Sequence, residues 1–332
     1  MTRPITRRTA LKYATAAVSS AAVFAPAIVA AEGYPSRPIV LVNPNPPAGY
    51  TDNLGRLVSV PLGKELGRPV TVANVPGASE MLGHEYFLRQ NDDGYVLLVT
   101  AASFIPVNIL LQHAPFKISD FAMINLPARD YTLLATSTGS DLKSVDEVIS
   151  ALQKDPASLS VGFPRSSTDY INLILLMRAA GIDTGKLRLI TFESGGIVRT
   201  SVLGGVVDVG FAGGEGFLPI ADQIRPLLTF AAERKPPFAA PAVSEVNVGA
   251  KFEPVAGSLR GFVVSSAFKA KYPDRYTRLV EAYKNVFADP KVVAALQKQD
   301  LASTWYGPDD SDAVYLKTCQ QIQDHADLLQ GT

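Results

Sequence analysis

At 332 residues, with 47% hydrophobic and 19% charged side chains, the chain carries enough apolar material for a sizeable packed interior, and its composition excludes a disordered or fibrous protein. The 31 basic and 31 acidic residues balance, so no basic surplus points to nucleic acid. The single cysteine, Cys319, excludes an internal disulfide, and at about 100–200 residues per domain two lobes are expected.

The chain opens differently from the way it continues. Arg3, Arg7, Arg8 and Lys12 precede an acid-free apolar stretch over 13–31, the layout of an export signal. Thr6-Arg7-Arg8-Thr9-Ala10-Leu11-Lys12 resembles a twin-arginine address. The stretch is rich in Ala and Ser, is broken by Pro26, and falls short of the ~20 apolar residues of a membrane-spanning helix. Cleavage near Glu32, after small residues at Val29 and Ala31 or at Ala25 and Ala27, is therefore expected, with the periplasm as destination. Loss of 1–31 leaves 27 basic residues against 31 acidic, a net charge of −4.

Strands are expected at 38–43, 70–75 and 95–100, with helices at 51–66 and 80–91 between them, Pro61 kinking the first. Strands at 121–126 and 131–136 follow. Next come a helix at 144–154, a strand at 159–163, a helix at 167–180, a strand at 187–192, a helix at 196–203, and strands at 207–211 and 226–231. Residues 235–254, with Pro236, Pro237, Pro241 and Pro254, read as a connection outside the core. A strand at 261–265 leads to an all-helical tail at 274–288, 291–299 and 311–329. Apolar strands alternating with helices give an α/β class of parallel sheets covered by helices. One alternating series ends near 127–130 and another opens at Tyr131, so the predicted lobes are 32–130 with 255–332, and 131–254.

Several blocks, taken in order, carry a resemblance. They are Tyr34-Pro35-Ser36-Arg37-Pro38-Ile39, Pro47-Ala48-Gly49-Tyr50-Thr51-Asp52, Leu66-Gly67-Arg68-Pro69-Val70, Asn74-Val75-Pro76-Gly77-Ala78 and Asp93-Gly94-Tyr95, followed by Ala180-Gly181-Ile182, Leu203-Gly204-Gly205-Val206-Val207-Asp208, Pro241-Ala242-Val243-Ser244-Glu245 and Phe287-Ala288-Asp289-Pro290-Lys291-Val292. No block is specific alone, but their order and spacing resemble the Bug-type extracytoplasmic receptors of tripartite tricarboxylate transporters over nearly the whole chain after residue 31. The resemblance implies a type II periplasmic-binding architecture: two α/β lobes, two crossovers, and a cleft that closes on a small carboxylate.

The first loop leads a strand into a helix, and the N-terminus of a helix favours an anion. Ala48 and Gly49 would allow close backbone approach, Tyr50 an aromatic wall and Thr51 a hydroxyl, while Asp52 reads as a helix charge or cap. From the other lobe the resemblance brings Phe163, Arg165, Ser166, Ser167 and Thr168, a loop where the family is rich in Gly and Ser; Ser103, Ser194 and Gly195 complete the expected contacts. Arg165 is read either as a bidentate grip on a carboxylate or as a solvated surface residue. Tyr170 stands where the family commonly has His. Glu193 stands where the family commonly has Lys, so it either selects an amine-bearing ligand or faces solvent. Phe104 and Phe163 are read as wall or core, with core expected for Phe104.

A catalytic reading finds no support in the sequence. There is no Gly-x-Ser-x-Gly elbow, no phosphate loop, and no second His at helical spacing from His84-Glu85. The expectation is a monomeric, non-enzymatic receptor without cofactor or metal. Its ligand is a carboxylate, aromatic acids and amino acids included, and its partner is a membrane permease, or alternatively a membrane sensor.

Overall fold

A computed structural model describes residues 33–165 and 167–329; the expected export signal over 1–31 lies outside them. Ten strands form two five-stranded sheets. The first has the order β2-β1-β3-β10-β4, from β1 (Ile39–Asn43), β2 (Val70–Asn74), β3 (Val96–Ala101), β4 (Phe121–Arg129) and β10 (Leu259–Ser265). The second has the order β7-β6-β8-β5-β9, from β5 (Thr132–Ser137), β6 (Ser160–Pro164), β7 (Arg188–Phe192), β8 (Val209–Gly213) and β9 (Ile224–Phe230). Every strand expected from the sequence is present. The sheets are mixed, however, and not purely parallel. In each, the strand by which the chain enters from the other sheet, β10 or β5, runs antiparallel to both its neighbours.

The helices are α1 (Tyr50–Leu66), α2 (Met81–Leu88), α3 (Phe104–Gln112), α4 (Val145–Lys154), α5 (Thr168–Ala179), α6 (Gly195–Leu203), α7 (Ser266–Lys271), α8 (Pro273–Ala288), α9 (Pro290–Gln297), α10 (Pro308–Asp324) and α11 (Ala326–Leu329). Helix α1 buries Leu54, Val58, Leu62 and Leu66 at helical spacing. Its Gly55 brings the helix close to the first sheet, since a Cβ there would stand 3.1 Å from a Val99 methyl. The helix continues through Pro61 and stops at Gly67, whose left-handed backbone (φ 71°) returns its N–H to the carbonyls of Gly63 and Lys64.

The C-terminal helices cover what would otherwise be an open sheet edge. On edge strand β4, the Met123 N–H donates to Asp312 and the Leu126 N–H to the Ser311 hydroxyl. Residues 235–254 contribute to the core, contrary to the sequence reading: Phe238, Ala240, Ala242, Val243 and Val248 are buried, and the Thr229 N–H of β9 donates to the Pro241 carbonyl. Proline count misled here because it reports the lack of regular structure, which is compatible with burial.

The chain passes from β4 to β5 through Asp130 and Tyr131, and returns into β10 through residues 256–258. The two crossings are tied together. The Asp130 N–H donates to the Ser258 carbonyl and the Gly257 N–H to the Asp130 carbonyl, each at 3.1 Å. A Cβ on Gly257 would fall 2.7 Å from the Asp130 backbone, so only glycine permits this approach.

Candidate functional site

A cleft of about 450 Å³ opens between the sheets, within the usual range for small-molecule sites. Besides α2, whose N-cap Glu80 also stands there, four helices begin on its wall. Gly49, Tyr50 and Thr51 come from α1, Ser103 and Phe104 from α3, Ser167, Thr168 and Asp169 from α5, and Ser194, Gly195 and Gly196 from α6. None of the four N-caps, Gly49, Ser103, Ser167 or Ser194, makes a side-chain capping bond. Among the described α-helices such bonds occur at α4, α7 and α9, through Ser144, Ser265 and Asp289, and none of those starts lines the cleft. The starts of α8 and α10 also lack such bonds and lie off the cleft; what marks the cavity is that the positive ends of four helix dipoles meet on it, an arrangement that attracts an anion.

The first loop is held in shape by Asp52. Its carboxylate accepts from the Ala48 N–H at 2.9 Å, from Arg56 Nε at 2.8 Å and from Asn74 Nδ2 at 2.8 Å. Burial opposes its ionisation, but these bonds outweigh burial and hold the carboxyl down to about 2. Ala48, with φ 67°, thus spends its N–H inside the loop and lies off the wall. The Thr51 hydroxyl donates to Asn43 Oδ1 and accepts from Asn45 Nδ2, so it lines the cleft with its proton already committed. Tyr50 does form a wall, and the guanidinium of Arg260 lies 4.9 Å above its ring.

Other expected residues are placed differently. Phe163 is buried in the core, 4.8 Å from the Tyr170 ring, whereas Phe104 lines the cleft; the expected roles of the two phenylalanines are exchanged. Arg165 is exposed off the cleft wall and faces Glu193, which does line it, at 3.7 Å. The two departures from the family pattern therefore meet each other. Ser166 lies outside the described residues. Gly49, Tyr50, Thr51, Ser103, Ser167, Thr168, Ser194 and Gly195 all stand on the wall.

The charged groups at the centre went unrecognised in the sequence. Arg260 enters from β10 beside an irregularity in its pairing with β4 at the next residue, Gly261, where a Cβ would strike the Asn125 carbonyl at 2.1 Å. Its Nη1 pairs with Asp130 at 3.3 Å, and Asp130 in turn accepts from the Tyr131 and Glu215 N–H groups. Burial works against the Arg260 charge, but Asp130, Tyr50 and Glu215 outweigh it.

Arg199, from α6, has neither a hydrogen bond nor an ion pair among the described residues. Its guanidinium packs against Gly195 and Gly216, and a Cβ on Gly216 would fall 2.2 Å from its Nη1. Burial lowers its pKa. No local signal in the sequence marks it, since Arg199 is the middle residue of the nine in α6 and stands beyond the first turn, where the dipole acts.

Two acids complete the wall. Glu80 follows Ala78 and Ser79 in a run of three left-handed residues (φ 47°, 49° and 74°), a costly conformation for side-chain-bearing residues. It accepts from Asn45, Thr100 and the Ala101 N–H, while burial pushes its pKa up. Asp169 is buried; its Oδ1 accepts from the Thr132 hydroxyl at 2.6 Å. Burial pushes its carboxyl up to about 6.

The model of the tripartite tricarboxylate transporter family receptor matches residues 54–326. Protein BugT of Bordetella pertussis is 29% identical over 57% of this chain and 58% of its own length, so the aligned part spans a little over half of that relative. Among solved structures, an R. palustris protein with adipate is 20% identical, with TM-score 0.74, covering 90% of this chain and 98% of that one. MatC from Rhodopseudomonas palustris with bound malate is 19% identical, with TM-score 0.70, over 89% and 100%. These structural likenesses establish the two-lobed α/β fold of periplasmic binding proteins.

Proposed function

Because the chain belongs to the tripartite tricarboxylate transporter receptor family, we propose that it is a periplasmic solute receptor whose cleft captures a small carboxylate by lobe closure and presents it to a membrane transporter. The observation that carries this reading is the convergence of four uncapped helix starts on one cavity that also holds Arg199, whose guanidinium lies 5.7 Å from the Phe217 ring and has no hydrogen bond or ion pair among the described residues. A preorganised set of N–H donors and a desolvated guanidinium suits capture of an anion from water. In this reading residues 1–31 are the export signal, 32–130 with 255–332 form one lobe, and 131–254 form the other. The tied crossings at Asp130 and Gly257 are the axis on which the lobes close.

The test is a thermal-shift and calorimetric screen of the mature protein against mono-, di- and tricarboxylates, malate and adipate included, together with aromatic acids and amino acids. The expected result is a saturable rise in melting temperature with at least one acid recovered unchanged, since a ligand bound only by the native state stabilises it. A screen in which no acid raises the melting temperature rejects the reading.

A further inference from the structure

The wall of the cleft carries more acid than a site built only for anions should tolerate. Glu80, Asp169 and Glu193 line it against Arg199 and Arg260, and the charge of Arg260 is already answered by Asp130. Discounting Glu80, whose ionisation burial opposes, and Glu193, which faces Arg165 at 3.7 Å, leaves Asp169 against Arg199, neither of them in an ion pair among the described residues. A second carboxylate on the ligand would meet Asp169 at short range in a partly desolvated cavity, where like charges repel strongly.

Arg199 and Asp169 are neighbours in this respect. Each contributes to the electrostatic field at the other, yet no hydrogen bond or ion pair joins them among the described residues. Asp169 has one oxygen bonded, to Thr132, and no hydrogen-bond donor reaches its Oδ2 among the described residues. Its partner Thr132 is fixed in turn by Asn172 Nδ2 at 2.9 Å, which also donates to the Val255 carbonyl. The carboxylate is thus rigidly presented with acceptor capacity unused. A buried charge left unfilled is costly, and a ligand that supplies the missing donor recovers that cost on binding.

Resting on the receptor reading above, we propose that Arg199 and Asp169 form a matched pair of ligand contacts, the guanidinium taking a carboxylate and the Asp169 carboxylate taking an ammonium, so that the cargo is an amino acid and not a plain dicarboxylic acid. The acid group of the cargo sits among Arg199 and the first N–H groups of α6, and its amine is directed to the start of α5.

The experiment compares monocarboxylic acids that differ only in the amine, alanine against propionate and phenylalanine against 3-phenylpropanoate, by calorimetry on the mature protein near pH 7.5. The amino member of at least one pair is expected to bind at least about tenfold more tightly, as a charge-assisted bond supplies. Asp169→Asn is expected to remove most of that preference while leaving the protein folded, as its melting curve verifies. Arg199→Ala is expected to weaken amino and plain acids alike by about tenfold or more, and Arg165→Ala to change neither. If the plain acid binds as well as its amino counterpart, or if the Asn variant keeps the preference, the pair assignment is wrong although the receptor reading stands. If lactate matches alanine, a hydroxyl serves as the donor and the amine assignment falls. If no member of either pair binds while other carboxylates do, the amino-acid class is rejected; if no acid binds at all, the receptor reading itself is rejected.

Discussion

Asp169 shows how a site residue works against the fold that holds it. Burial places its carboxyl at about 6, so between its ordinary value of 3.8 and about 6 the folded protein keeps a proton that the unfolded chain releases. Stability from this group therefore falls as pH rises through that window and stays lost above it. The empty protein carries a cost on the order of 3 kcal/mol at pH 7. Asp169→Asn is accordingly expected to raise the melting temperature of the ligand-free protein at pH 7, with little change near pH 4; a lower melting temperature at pH 7 would show that the charge is structural. Little of this was legible in the sequence. An acid in the first turn of a helix reads as a helix charge or cap, and Asp52 holds the first loop through the Ala48 N–H, Arg56 and Asn74. The same residue type at Asp169 differs only because of what packs around it.

At the scale of elements, the helix starts divide into two kinds that the sequence does not separate, since Ser144 and Ser194 both precede helices. Ser144 accepts from the Glu147 N–H at 3.3 Å, whereas Ser194 makes no capping bond. Ser144→Ala is therefore expected to cost about 1 kcal/mol in chemical denaturation, while Ser194→Ala should leave stability unchanged; equal losses would mean that the start of α6 is capped in solution. The elements themselves were largely readable because strand and helix periods are local properties. The two helices missed, α3 and α7, lacked a usable period. Phe104-Ile105-Pro106-Val107-Asn108-Ile109-Leu110-Leu111 is apolar almost throughout, which does not distinguish a buried helix from a strand, and α7 has six residues.

For the whole molecule, the two crossings concentrate charge near the axis between the lobes. Burial, with the Asp130 charge adding to it, pushes the Glu215 carboxyl up to about 7, against the opposing influence of Arg260 and Lys235. Burial alone pushes His84 down to about 3. Between pH 4.5 and about 7 folded Glu215 retains a proton, so its contribution to stability falls as pH rises; between about 3 and 6.5 folded His84 refuses one, so its contribution rises. The two slopes oppose each other where the windows overlap. The melting-temperature difference between Glu215→Gln and the parent protein should therefore grow with pH from 4.5 to about 7 and then level off; a difference independent of pH would refute the assignment. The sequence by itself determined the α/β alternation, every strand and the starts of α1, α5 and α6 on the cleft wall, because periodicity and turn chemistry act over a few residues. Only the tertiary structure decided that Arg165 turns outward to Glu193, that Phe104 and Phe163 exchange places, and that Arg199, Asp169, Asp130 and Arg260 gather about one cavity. The role of a charge is set by distance and burial, and those exist only once strands and helices far apart in the chain have packed.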